Sequence, residues 1–273
     1  VRINNDPLNI IIGNPALKPS FSNNFRLVYR SYAPISKMSL TVSGSYSMKD
    51  NAIVHSSQTD SVGKTITQYV NLDGYIPYSY SLASNINFPI PWIDANLEME
   101  AGTTGSTGYS LINHTVEQSN SRYYYMYAQL RKSKEKVYDI SWVLFDPSYQ
   151  INTFSLQPRQ NNNARGFYSD GYFTLYLPAK FQLTGSYNYN YAGKTSALPE
   201  QSKLIANSGL AKTFLKNDNL KLSVNLNDML GRNQSYSRSV SANAITQSSY
   251  NTVGRYLLFS LTWDFSKFGT TKP

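Results

Sequence analysis

The side chains that could do acid–base or metal chemistry are few. His55 and His114 are the only histidines, and both fall in or beside long polar stretches. Neither has partners at the spacing that a metal site or a His-activated nucleophile requires. Asp94, Glu98 and Glu100 fall on the polar face of one alternating segment, and paired carboxylates can be catalytic. A spacing of two is nevertheless what the pleat of a strand gives any pair on one face. Gly105 and Gly108 are not set between a strand and a helix, so they read as no phosphate loop. Asn113-His114-Thr115 matches a glycosylation sequon, a pattern that arises commonly by chance. Cysteine is absent, which removes thiol catalysis, disulfides and Cys-based metal sites. These residues point away from an enzyme, and no cofactor or metal is expected.

Tyrosine is the residue type in excess, with 23 copies. Tyr123, Tyr125 and Tyr127 recur at every second position, and Tyr172 and Tyr176 are four apart. Each set therefore shares one strand face, where the rings can stack on a flat ligand or pack against a plug. Tyr187, Tyr189 and Tyr191 climb the opposite, apolar face of their segment and read as an interfacial girdle.

The elements that position these residues are strands. Leu220, Leu222, Val224 and Leu226 alternate with Lys221, Ser223, Asn225 and Asn227. Leu257, Phe259, Leu261, Trp263 and Phe265 alternate in the same way with Leu258, Ser260, Thr262, Asp264 and Ser266. The apolar row of each is expected to face lipid, ending in large aromatics as at a membrane interface. Soluble sandwiches alternate too, so the pattern alone does not fix the class. The same reading along the chain gives about eleven strands and no helix. Short turns fall near residues 35, 90, 134, 179 and 217, whereas the other connections are long and polar. Short turns at one end and long loops at the other are the layout of an outer-membrane barrel. An open sheet of this kind would leave two unpaired edges in lipid, which predicts further strands.

Composition narrows the partners. Hydrophobic residues make up 41% of the chain, and no apolar run approaches the ~20 residues of a spanning helix. The formal charge of +9 comes from scattered residues rather than a basic patch, which argues against nucleic acid. Outer-membrane lipid and anionic lipopolysaccharide suit dispersed positive charge better. The chain opens with Val1 and shows no signal peptide, so it reads as a mature product or an excerpt.

Gly13-Asn14-Pro15, Leu17-Lys18-Pro19 and Ser22-Asn23-Asn24 precede an alternating strand. This run resembles the mid-barrel signature of TonB-dependent receptors, G-N-P-x-L-x-P-E-x-S-x-N, with Ser20 at the Glu position. Leu220 to Leu230 resembles their penultimate strand. Tyr250-Asn251 through Gly254-Arg255-Tyr256 to Phe268 resembles the terminal strand of the Bacteroidetes-type outer membrane β-barrel branch.

The resemblance implies an all-β transmembrane antiparallel barrel, with about 11 strands present of a 22-stranded whole. Residues 1–20 would be an extracellular loop segment, 21–268 the C-terminal half of the barrel and 269–273 a tail. It further implies import of a scarce ligand: a glycan, peptide, siderophore or other metal complex. TonB would act through an N-terminal region not in this sequence, and a lipoprotein partner is possible. Ligand contacts are expected from the long loops, with Tyr109, Tyr149 and Tyr168 as candidates. The alternative is a receptor-like barrel that serves as a structural or docking subunit of a larger outer-membrane complex.

Overall fold

A computed structural model of the chain describes residues 2–6, 9–156, 158, 162–195, 198–215, 218–233, 235–240, 245–250 and 252–264. Its elements are almost all strands. The first half contains β1 (Arg2–Asp6), β2 (Asn9–Ile12), β3 (Phe21–Ala33), β4 (Met38–Asp50), β5 (Ala52–Thr59), β6 (Thr65–Leu72), β7 (Tyr78–Ile90) and β8 (Ala95–Ile112). Then follow β9 (Thr115–Lys134), β10 (Tyr138–Phe154), β11 (Asn162–Leu177), β12 (Phe181–Ala192) and β13 (Gln201–Phe214). The last are β14 (Leu220–Asn227), β15 (Ser235–Val240), β16 (Ile245–Tyr250) and β17 (Tyr256–Trp263). No helix among the described residues is long and apolar enough to cross a membrane.

Strands β3, β4, β7, β8, β9, β10, β11, β12, β13, β14 and β17 pair in that order, each antiparallel to the next. This path forms one continuous wall. Its connections alternate in length. At one end lie the Ala33–Met38 turn, two 3-10 turns (Pro91–Ile93 and Pro178–Lys180) and the tight turn at Lys136. Asp94, Ala179 and Lys180 adopt left-handed backbone there, which lets the chain reverse within a few residues. Asp94 therefore sits in the turn before β8 rather than on the strand face expected for it.

The opposite end carries the longer connections, and it is more ordered than the sequence predicts. The polar stretch after Lys49, expected to be a loop, folds as the β5–β6 hairpin. Beyond Thr107, β8 loses β7 as its neighbour, and β5 takes the free edge in parallel at Ser56–Leu111 and Ser57–Ile112. Strands β8 and β9 also continue to Ile112 and Thr115, through a Gly/Thr/Ser-rich region that falls in one of the expected long polar connections. The reason is the same in both places. Where both faces of a hairpin meet water or each other, pairing persists without an alternating pattern.

Residues 1–20, expected to be loop, contain two short strands. β1 pairs with β2, and β2 adds in parallel to β6 from Asn9–Thr65 to Ile12–Gln68. The main buried apolar cluster lies at this end, where Ala52, Val54 and Leu72 pack with Val70, Tyr109, Leu111 and Val116. Among the described residues the wall itself shows no such cluster. Instead the register gives it two chemically distinct faces.

Candidate functional site

One face of the wall is apolar. Leu97, Met99, Met126, Leu130, Ile140, Trp142, Phe173, Leu175 and Leu183 occupy adjoining register positions on it. The last two strands continue the row through Leu220–Trp263, Leu222–Leu261, Val224–Phe259 and Leu226–Leu257. Phe259 is 69% exposed and Leu261 67% exposed, although both are large and apolar. Phe265, expected to end this row, lies outside the described residues.

Cross-strand aromatics on this face cover glycines. Phe173 lies over Gly185, Tyr187 over Gly171 and Tyr80 over Gly105, each ring occupying the space a Cβ would need. The glycines are thus seats for large rings.

The other face is polar and bonded to itself. Asn85 donates to Glu98 at 3.0 Å, and the Tyr125 hydroxyl donates to Glu100 at 2.8 Å. Tyr127 donates to Gln129, which in turn donates to Ser141 at 2.8 Å. Glu98 and Glu100 therefore share a face as expected, without Asp94, and act as acceptors for a neighbouring amide and phenol. Tyr123 stacks on Tyr125 with centroids 5.8 Å apart, so the expected tyrosine row is an ordered surface.

At the end with long connections this polar face dips into a recess of about 300 Å³, lined by Tyr123, Asp146, Ser148, Gln150, Tyr168 and Asn190 among others. The dip exists because Ala164, Gly166 and Ala192 are small where their neighbours carry long side chains. Tyr168 accepts a hydrogen bond from Asn188 at 2.7 Å, which fixes its hydroxyl beside the recess. Just beyond, Asn152 is fully enclosed, accepts from Gln150, and has no described partner for its Nδ2.

The three tyrosines expected to touch ligand are not brought together. Tyr168 lines the recess. Tyr149 sits on the apolar face, opposite Tyr124 and beneath the Arg165 guanidinium at 5.9 Å. Tyr109 packs against Tyr75, centroids 5.2 Å apart, at the edge of the buried cluster. The recess residues Asp146, Gln150 and Asn190 carried no sequence signal beyond ordinary polar alternation.

The histidines are structural neighbours of other side chains. His55 meets Tyr69 edge-on at 4.9 Å, and His114 lies 3.1 Å from the Gln58 amide. Asn113 fastens the β8–β9 tip to the β5 hairpin, donating its N–H to Ser57 and accepting from Thr59 N. Among the described residues, no group of three or more acidic or histidine side chains could hold a metal ion.

An apolar outer wall, a polar inner wall and short turns at one end fit a barrel spanning a membrane. A family model described as "Outer membrane protein beta-barrel family" matches residues 1–263. The chain belongs to the outer membrane protein β-barrel family. It is an integral outer-membrane protein, and its apolar wall is the surface such a barrel turns to lipid. Neither a curated protein nor a solved structure matches it significantly.

Proposed function

We propose that this chain forms the C-terminal half of the barrel of a TonB-dependent receptor, which imports a scarce ligand across the outer membrane. The observation that carries the reading is the recess around Tyr168 on the polar face, at the end with the long connections. A ligand arriving from outside meets that end first, where Tyr123, Tyr168, Gln150, Asn190 and Asp146 offer ring faces, amides and a carboxylate. This is the mixture of apolar surface and convergent polar groups that small-molecule sites use. The two ends of the wall support the larger assembly. Among the described residues β3 pairs only with β4, and β17 only with β14. Such edges are costly in hydrocarbon unless further strands cover them.

The test is uptake by cells with and without TonB. Accumulation of a ligand that requires both this protein and TonB supports the reading. Growth and uptake that are indifferent to TonB remove it.

A second reading has its own observation. The β1–β2 and β5–β6 strands build an ordered shelf at the long-loop end, with Ile11, Val62, Ile66 and Tyr69 exposed on it. A receptor-like barrel used as a docking subunit would present such a shelf to a partner, including a lipoprotein. Co-purification of one stoichiometric partner, lost on deleting the β5–β6 hairpin, would favour this role over import.

A further inference from the structure

The carboxylates of the wall segregate to one face, while basic residues occupy both. Glu98, Glu100, Asp139, Asp146 and Asp170 all occupy inner-face register positions on β8 to β11. On the outer face of β8 to β12 no described register position holds a carboxylate, yet Arg122 and Arg165 are there. Both arginines are exposed, and neither forms an ion pair among the described residues.

Their placement is specific. Arg122 lies opposite Ile151, which lies opposite Asn163, two residues from Arg165. Two strands and two residues separate their Cα atoms by roughly 12 Å, within reach of one doubly charged group for two arginine side chains. The Arg165 guanidinium is held over the Tyr149 ring at 5.9 Å. Toward the membrane the same face continues with Tyr124, Phe167 and Tyr189, the last two with centroids 6.1 Å apart. Aromatic rings of this kind mark the level where acyl chains give way to headgroups. The pair stands just beyond that level, at the long-loop end, which faces outward in barrels of this layout.

We infer that Arg122 and Arg165 form a binding site for the phosphorylated saccharide headgroup of lipopolysaccharide in the outer leaflet. Guanidinium forks bind phosphate oxygens bidentately, and a desolvating aromatic floor strengthens that contact. Arg165 also borders the recess, but its guanidinium lies over Tyr149 on the outer face, the face on which the register places Arg122. The inference rests on the outer-membrane location alone and not on import.

The experiment uses the protein purified from outer membranes in detergent, as wild type, as R122Q/R165Q and as the control K132Q/K212Q. Lys132 and Lys212 lie at the opposite end of the same face, over Tyr138 and Phe181. Co-purified lipopolysaccharide per polypeptide is measured. Thermal midpoints are then compared after adding lipopolysaccharide, enzymatically dephosphorylated lipopolysaccharide or phosphatidylglycerol vesicles. We expect R122Q/R165Q to lose at least fivefold of its bound lipopolysaccharide, with the control unchanged. We also expect only phosphorylated lipopolysaccharide to raise the wild-type midpoint strongly. Undiminished binding by folded R122Q/R165Q overturns the site. Equal responses to the dephosphorylated lipid or to phosphatidylglycerol overturn the assignment of the headgroup. Should R122Q/R165Q fail to fold, R122K/R165K keeps charge but loses the fork. Lipopolysaccharide binding clearly below that of wild type and of K132Q/K212Q is then expected, and wild-type binding overturns the inference.

Discussion

The side-chain amide of Asn71 replaces a missing strand for Lys18. It accepts from the Lys18 N–H at 2.8 Å and donates to the Lys18 carbonyl at 2.9 Å, the pair of bonds one residue exchanges with its neighbour in a ladder. Asn51 adds a bond to the Pro19 carbonyl at 2.8 Å, and Asn14 donates to the Tyr69 carbonyl at 3.0 Å. The stretch Gly13 to Pro19 contains two prolines, which lack N–H groups and cannot sit in a ladder. Asparagines on the neighbouring hairpin hold it instead. This gives the G-N-P-x-L-x-P run a physical role as a segment clasped to β6.

Asn71→Leu should release that segment while leaving the wall intact. The lost pair of bonds is worth about 1–3 kcal/mol. Amide hydrogen exchange at residues 16–18 should accelerate by a factor of ten or more, with β9 to β12 unaffected. Unchanged protection would mean the clasp contributes nothing.

Gly185→Val should be strongly destabilising, because a Cβ there would lie 2.4 Å from the Phe173 ring. Overpacking of this sort costs about 1–3 kcal/mol. Pairing it with Phe173→Ala should recover part of the loss by vacating the space. The midpoint of heat-induced gel-shift unfolding reads both effects. A double variant no more stable than Gly185→Val would sink the ring-over-glycine account.

Asp228 terminates β14 with its side chain. Its Oδ1 accepts from Arg232 N at 3.0 Å and its Oδ2 from Asn233 N at 3.1 Å, while Asn207 accepts from the Asp228 N–H at 2.9 Å. The residue is buried and has φ 51°. Asp228→Ala should cost about 2–3 kcal/mol through two stranded N–H groups. Asp228→Asn, which keeps one acceptor and tolerates the left-handed backbone, should cost less than half as much. Equal losses in the same unfolding assay would contradict the cap.

Tyr168→Phe removes the hydroxyl that accepts from Asn188 without disturbing the ring. Under the import proposal, ligand uptake should weaken by three- to tenfold, in line with one hydrogen bond of about 1 kcal/mol. Tyr149→Phe, on the other face, should leave uptake unchanged. The comparison separates the recess from the outer wall, and equal effects would argue against the recess.

The wall was legible in the sequence and the rim was not. Rows such as Leu220, Leu222, Val224 and Leu226 must alternate with Lys221, Ser223 and Asn225, because one side of the strand meets lipid and the other a polar lumen. Where that contrast ends, so does the pattern. His55, Ser56, Ser57 and Gln58 form a strand because their backbones pair with β6 and β8, and no apolar period announces it. The recess was hidden for a related reason. Its shape comes from Ala164, Gly166 and Ala192 lying beside longer side chains on neighbouring strands, a juxtaposition set by register. Tyr109 and Tyr149 were plausible candidates by residue type, and only the register separates them from Tyr168.

The central claim is that the even positions of β14 and the odd positions of β17 face lipid while the alternate ones face the lumen. The chain has no cysteine, so single cysteines report cleanly. Cysteine would be placed in turn at Leu222, Val224, Phe259 and Leu261, and at Ser223, Asn225 and Ser260. Each variant, in outer membrane or reconstituted bilayer, would be labelled with a small fluorophore and tested with nitroxide-bearing lipids and a water-soluble quencher. The account predicts lipid quenching at the first four positions and aqueous quenching at the other three. Lipid quenching at Asn225 and Ser223, or aqueous quenching at Val224 and Phe259, would contradict it.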